Sequence, residues 1–156
     1  MFQKGTRAST LLNRLEKWGA KEAKNWNEGQ ASGAVYHGGS ELSNLHGDVF
    51  KIFALSNPLH PELFPYVRKM EAEIVRMCAN LYHGDEVKSC GTLSSGGTES
   101  ILLACKAYRD RARHLYSIET PEIIAPITVH AAFEKAAHYF GMKLIHVPVQ
   151  PDTMTG

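Results

Sequence analysis

Residues 122 to 149 constrain the fold more than any other stretch of the chain. They read as an apolar strand from Glu122 to Ile127, a helix from Ala131 to Phe140 stopped by Gly141, and a second apolar strand from Lys143 to Val149. Strand, helix and strand within about 30 residues form a βαβ crossover. Such a crossover joins parallel strands, and parallel strands are stable in a sheet covered on both faces. The chain is therefore expected to be α/β, with any ligand gathered at the carboxyl ends of its strands.

Upstream, Leu11, Leu12, Leu15 and Trp18 keep helical spacing behind a cap at Ser9 or Thr10, and the opposite face is basic. From Asn27 to Gly47, glycines and small polar residues predict a loop-rich segment with one helical turn. This suggests an amino-terminal helix and arm over residues 1–47 and the first part of a larger domain over 48–156. After Pro58, Pro61 and Pro65, the residues Val67, Met70, Ile74, Met77, Cys78 and Leu81 keep one helical face apolar as far as Gly84. The run SSGGTES then opens another helix with Ile101, Ala104, Cys105 and Tyr108 facing inward, closed by a charged turn at Arg109, Asp110, Arg111 and Arg113. The final PDTMTG is turn-like.

Seventeen basic against sixteen acidic residues leave a formal charge of +1, so no electrostatic footprint for nucleic acid or an anionic membrane appears. Cys78, Cys90 and Cys105 are too far apart for a C-x-x-C motif. A reducing, cytoplasmic setting follows, with Cys78 and Cys105 as buried small hydrophobes. No apolar run approaches the roughly 20 residues of a membrane-spanning helix, so the chain as given is expected to be soluble. No H-E-x-x-H or other metal-ligand spacing occurs.

The loop Ser94-Ser95-Gly96-Gly97-Thr98 enters a helix, where backbone N–H groups and the helix dipole favour an anion such as phosphate. The hydroxyls of Ser95 and Thr98 add donors. An alternative use is a simple cap by Ser95 or Gly96, with Glu99 complementing the dipole in the first turn. His130 follows the first strand and opens the next helix, on the same rim as the loop. A neutral imidazole there suits stacking on an aromatic ring, and equally suits capping the helix. Asn57-Pro58-Leu59-His60-Pro61 is a rigid turn that fits a grip on a polar substrate or an ordinary hydrogen-bonded turn. Tyr36 reads on its own as a half-buried phenol.

The stretches EGQASGAVYHGG, SNPLHPELFPYVRKMEAEIVRM, CGTLSSGGTESILLACKAYRDRA and TVHAAFEKAAHYFGMK resemble the sphingosine-1-phosphate lyase family from about Gly5 onward. SGGTES alone is shared with the wider amino-acid decarboxylase superfamily; SNPLHPELFP and SGAVYHGG discriminate. The resemblance implies a partial pyridoxal-phosphate-dependent transferase fold of the aspartate-aminotransferase type, a mainly parallel sheet with flanking helices. It implies pyridoxal 5'-phosphate held by Gly97 and Thr98, with Ser95 and Gly96 in the same loop, and stacked on His130. Asn57 and His60 would lie beside the reacting end of the substrate, with His60 as candidate catalytic base. Tyr36 would reach the substrate phosphate from the neighbouring subunit of a homodimer. The implied reaction is retro-aldol cleavage of the C2–C3 bond of a phosphorylated sphingoid base, giving a long-chain aldehyde and phosphoethanolamine.

None of the lysines from Lys4 to Lys143 lies in the His-Lys context of the family's Schiff-base lysine, and the aspartate that pairs with the pyridinium nitrogen is also lacking. These 156 residues alone are expected to be a truncated, inactive fragment, prone to aggregate through open sheet edges. Eukaryotic family members carry an upstream membrane-spanning segment that places their active domain on the cytosolic side of the endoplasmic reticulum. Two other readings stay open: a pyridoxal-phosphate-dependent amino-acid decarboxylase, and a non-catalytic module that pairs with a full-length partner.

Overall fold

The structure, a computed structural model, describes residues 5–153. It divides into two compact units, one ending at Ser56 and one beginning at Asn57.

The first unit holds two helices, α1 (Ala8–Asn27) and α2 (Ser40–Phe53). Helix α1 begins behind Arg7 without a side-chain cap, so the expected caps Ser9 and Thr10 lie inside it. It also runs well past Trp18, because Ala20, Lys21, Glu22, Ala23 and Lys24 are all strong helix formers. Helix α2 corrects the reading of this segment as loop with one turn. Leu42, Leu45 and Val49 keep helical spacing there, and Gly47, at a cost of about 1 kcal/mol, does not stop the helix. The division expected at residue 47 therefore falls inside α2. In the connecting loop a Cβ at Gly38 would sit 2.5 Å from the Trp26 ring, so the chain passes directly against the end of α1.

The second unit contains α3 (Pro65–Leu81), α4 (Gly97–Tyr116), β1 (Glu122–Pro126), α5 (Ala132–Phe140) and β2 (Lys143–Val147). Pro65 occupies the first turn of α3, where its missing N–H costs nothing. The helix stops one turn before Gly84 because His83 takes the left-handed conformation (φ 57°), and the Gly84 amide returns to the Ala79 carbonyl at 2.7 Å. Asp85 then accepts the amides of Val87 and Lys88 at 2.9 and 2.7 Å, and those bonds hold its carboxyl below the usual range. Helix α4 extends through the charged residues expected to close it, and ends at Tyr116 with Ser117 left-handed. Beyond β2, residues 151–153 turn as expected, and Met154, Thr155 and Gly156 lie outside the described residues.

The βαβ unit forms as the apolar pattern requires. Strands β1 and β2 pair in parallel, Glu122 opposite Lys143 through Pro126 opposite Val147. A Lys143–Glu122 ion pair of 2.8 Å marks the first register position. Both strands are shorter than expected; Pro126, which has no N–H, ends β1, while Ile127 still donates to the Val147 carbonyl at 2.9 Å.

Small side chains let α4, α5 and the sheet approach closely. The buried residues among those described are Cys105 on α4, Ala125 on β1, and Ala132, Ala136 and Ala137 on α5. Arg109 fastens α4 to the far end of α5: its guanidinium lies 5.3 Å over the Phe140 ring and reaches the Phe140 carbonyl at 3.5 Å. Burial raises the Cys105 thiol above its usual pKa, as suits an unreactive core residue. Cys78, by contrast, was expected to be buried and is exposed, because the apolar face of α3 stays open among the described residues, with Met77 and Leu81 at 65% and 72%.

A core built of one cysteine and alanines leaves many large apolar side chains in water, Ile124 of β1 among them at 71%. Exposed apolar surface on this scale favours association. Residues 1–156 expressed alone should elute from size exclusion as oligomers or aggregate, with weak amide-exchange protection; a monomer with strong protection contradicts this.

Candidate active site

The topology decides which ends of the helices share a rim. Helix α5 joins parallel strands and therefore runs antiparallel to both. The C-terminal end of α4 connects to β1 through the short turn from Ser117 to Pro121, and Arg109 of α4 touches Phe140 at the C-terminal end of α5. Both helices therefore end at the amino edge of the sheet and begin at its carboxyl edge. With 1.5 Å per residue, the start of α4 lies about 6 Å beyond the start of α5 when counted back from this shared contact. Gly96 to Glu99 and His130 accordingly occupy one edge of the sheet.

At the start of α4 the loop is organised by its own side chains. The Glu99 carboxylate accepts the Ser95 backbone N–H, and the Ser95 hydroxyl also bonds to it. The Ser94 hydroxyl pairs with that of Ser100 at 2.6 Å, donates to the Gly96 carbonyl at 3.0 Å and lies 3.4 Å from the Gly96 amide. Gly96 itself, at φ 158° and ψ 176°, uses a region open essentially to glycine. The amides of Ser95 and Gly96 are thus occupied. Those of Gly97, Thr98 and Glu99 precede the first intrahelical bond, from Ser100 N–H to the Gly96 carbonyl, and have no acceptor among the described residues.

Those three amides point out of a helix end that no side chain caps, the arrangement that receives a phosphate. A Cβ at Gly96 or Gly97 would meet nothing within 4 Å, so the approach is open. A phosphate-bearing cofactor fits this end.

His130 serves the start of α5 as its capping alternative required. Its Nδ1 accepts the Ala132 amide at 3.1 Å, which fixes the ring at the edge of the sheet. The same bond that satisfies the first amide of α5 fixes the plane of the imidazole.

Asn57 and His60 share a turn in which Asn57 Oδ1 accepts the Leu59 amide at 3.1 Å and the Asn57 carbonyl accepts the His60 amide at 3.0 Å. His60 Nδ1 lies 3.3 Å from Glu62, leaving Nε2 free. Tyr36, in the first unit, is fully exposed rather than half-buried. A cavity of about 400 Å³ between α3 and Ser89 to Gly91 is lined by Arg68, Glu71 and Arg76 and by none of the expected site residues.

Sequence reasoning missed the two ties of the loop. Glu99 stands three residues after the capping glycine, the spacing of a capping box, and that spacing was the available signal. The Ser94–Ser100 pair had no such signal, since it depends on the unusual Gly96 backbone.

Comparison with known proteins shows what this chain is similar to. Mouse sphingosine-1-phosphate lyase 1 is 52% identical over 146 residues, covering 94% of this chain and 25% of that protein. The Saccharomyces cerevisiae lyase is 52% identical over 128 residues, covering 82% of this chain and 22% of that protein. Over most of its length this chain is similar to sphingosine-1-phosphate lyases. A Burkholderia pseudomallei sphingosine-1-phosphate lyase structure matches with a TM-score of 0.90 at 38% identity, over 99% of this chain and 37% of that one. The α/β architecture of this chain therefore matches that of the corresponding part of the lyase structure, a partial fold of the kind the resemblance implied. The chain spans about a quarter of the length of the curated relatives it matches. No family model matches it.

The hydrogen bonds from Ser95 hold the Glu99 carboxyl below its ordinary value of 4.5. A depressed folded pKa contributes stability that is complete above 4.5 and is lost as pH falls through the folded value. In an NMR titration the Ser95 amide should therefore move with a midpoint below 4.5. A midpoint at or above that value contradicts the tie.

Proposed function

We propose that the gene product containing these residues is a pyridoxal-phosphate-dependent carbon–carbon lyase. It cleaves the C2–C3 bond of phosphorylated sphingoid bases, releasing a long-chain aldehyde and phosphoethanolamine. The observation that carries this reading is the identity of 52% over 146 residues with a protein named as sphingosine-1-phosphate lyase. It is supported by the free amides and the fixed imidazole at one edge of the sheet.

In this reading Gly97 and Thr98 hold the cofactor phosphate through backbone N–H groups, which need no charged side chain because several amides share the load. Ser95 and Gly96 shape the loop, their own amides being engaged. When bound, pyridoxal 5'-phosphate supplies a conjugated ring that takes up the electron pair of the breaking bond. His130, held by its Nδ1 bond, would lie against that ring.

The rigid turn brings Asn57 and His60 to the reacting end of the substrate, where the free Nε2 of His60 takes the proton of the 3-hydroxyl. The hydroxyl oxygen becomes the aldehyde oxygen as the C2–C3 bond breaks, and return of the proton to C2 completes phosphoethanolamine. Tyr36 of a neighbouring subunit binds the substrate phosphate. A homodimer and a cytoplasmic location go with this reading and rest on the resemblance alone. Among the described residues no helix is long and apolar enough to cross a membrane.

The gene product should release aldehyde and phosphoethanolamine from a phosphorylated sphingoid base, and no carbon dioxide from glutamate or aromatic amino acids, when assayed with added pyridoxal phosphate. Carbon dioxide without aldehyde overturns the assignment.

A further inference from the structure

We propose that Glu99 is a positioning residue that sets the phosphate affinity of the α4 terminus in two opposed ways, through its hydrogen bond and through its charge. This rests on the functional reading above, in which that terminus holds the cofactor phosphate.

The hydrogen bond favours binding. Gly96 adopts φ 158° and ψ 176°, one of many conformations open to glycine, so contacts from elsewhere must hold the loop in this one. Two ties from the first turn of α4 do so: Glu99 to the Ser95 N–H, and Ser100 to the Ser94 hydroxyl at 2.6 Å. With the loop folded back in this way, the amides of Gly97, Thr98 and Glu99 stay free of internal acceptors. A released loop would sample conformations in which those amides diverge, and binding would have to gather them again.

The charge opposes binding. A carboxylate in the first turn interacts favourably with the helix dipole while the terminus is empty. Once a phosphate dianion arrives, the same carboxylate becomes a like charge in the same turn. Glu99 therefore stabilises the empty terminus relative to the filled one, and a ligand equilibrium responds only to such a difference. Glutamine separates the two effects, because its amide oxygen still accepts the Ser95 N–H while the charge is gone. Alanine removes both.

The test uses the full gene product, wild type and the Glu99→Gln and Glu99→Ala variants, with circular dichroism to show that all three are folded. Dissociation constants are measured for pyridoxal phosphate, by its absorbance change, and separately for inorganic phosphate, by calorimetry. Glu99→Gln should tighten both by about two- to fivefold, the range of a solvent-exposed charge interaction, and high salt should shrink that gain. Glu99→Ala should bind both more weakly than Glu99→Gln. If Glu99→Gln binds no tighter than wild type, the charge role is wrong. If Glu99→Ala matches Glu99→Gln, the hydrogen-bond role is wrong. The inorganic phosphate series decides the role of Glu99 even where wild type does not take up pyridoxal phosphate, a result that would sink the functional reading separately.

Discussion

The parallel pairing of β1 with β2 through α5 is the constraint on which the rest of the second unit depends. It fixes α5 antiparallel to the strands, and the contact of Arg109 with Phe140 then fixes the end at which α4 finishes. Two helix N-termini are left at the carboxyl edge of the sheet, one lined with free amides and the other carrying a fixed imidazole. Alanines at 125, 132, 136 and 137 make the arrangement possible, because larger side chains would hold the helices off the sheet and away from each other.

The groups that cap these helices are the same groups that make the site. His130 satisfies an orphan amide of α5 through Nδ1, and that bond sets the plane of its ring. Glu99 and Ser94 satisfy the amides of Ser95 and Gly96, which leaves the next three amides as the ones facing outward. Capping and ligand binding thus divide the backbone donors of the loop between them. Hydrogen bonds within the chain hold both the loop and the imidazole in place.

The βαβ unit was readable in the sequence because apolar runs bounded by Gly141 and a predicted helix leave few other solutions, and its extent was overestimated only where Pro126 and Pro148 end the pairing. Helix α2 was hidden by Gly38, Gly39 and Gly47, whose local signal for loop outweighed the spacing of Leu42, Leu45 and Val49. Cys78 was misplaced for a different reason: an amphipathic pattern shows that a face is apolar without showing what covers it. At the site, Gly97, Thr98 and His130 came from local chemistry joined to family resemblance. The tie from Ser94 to Ser100 lay beyond reach, since it exists only once Gly96 has taken a conformation that no neighbouring residue announces.

The most direct measurement is a crystal structure of the gene product grown with pyridoxal phosphate. The account predicts the phosphate within hydrogen-bond distance of the Gly97 and Thr98 amides and the pyridine ring lying flat on the imidazole of His130. A cofactor bound elsewhere, or a His130 ring turned away from it, would contradict the claim that these two helix ends serve one ligand.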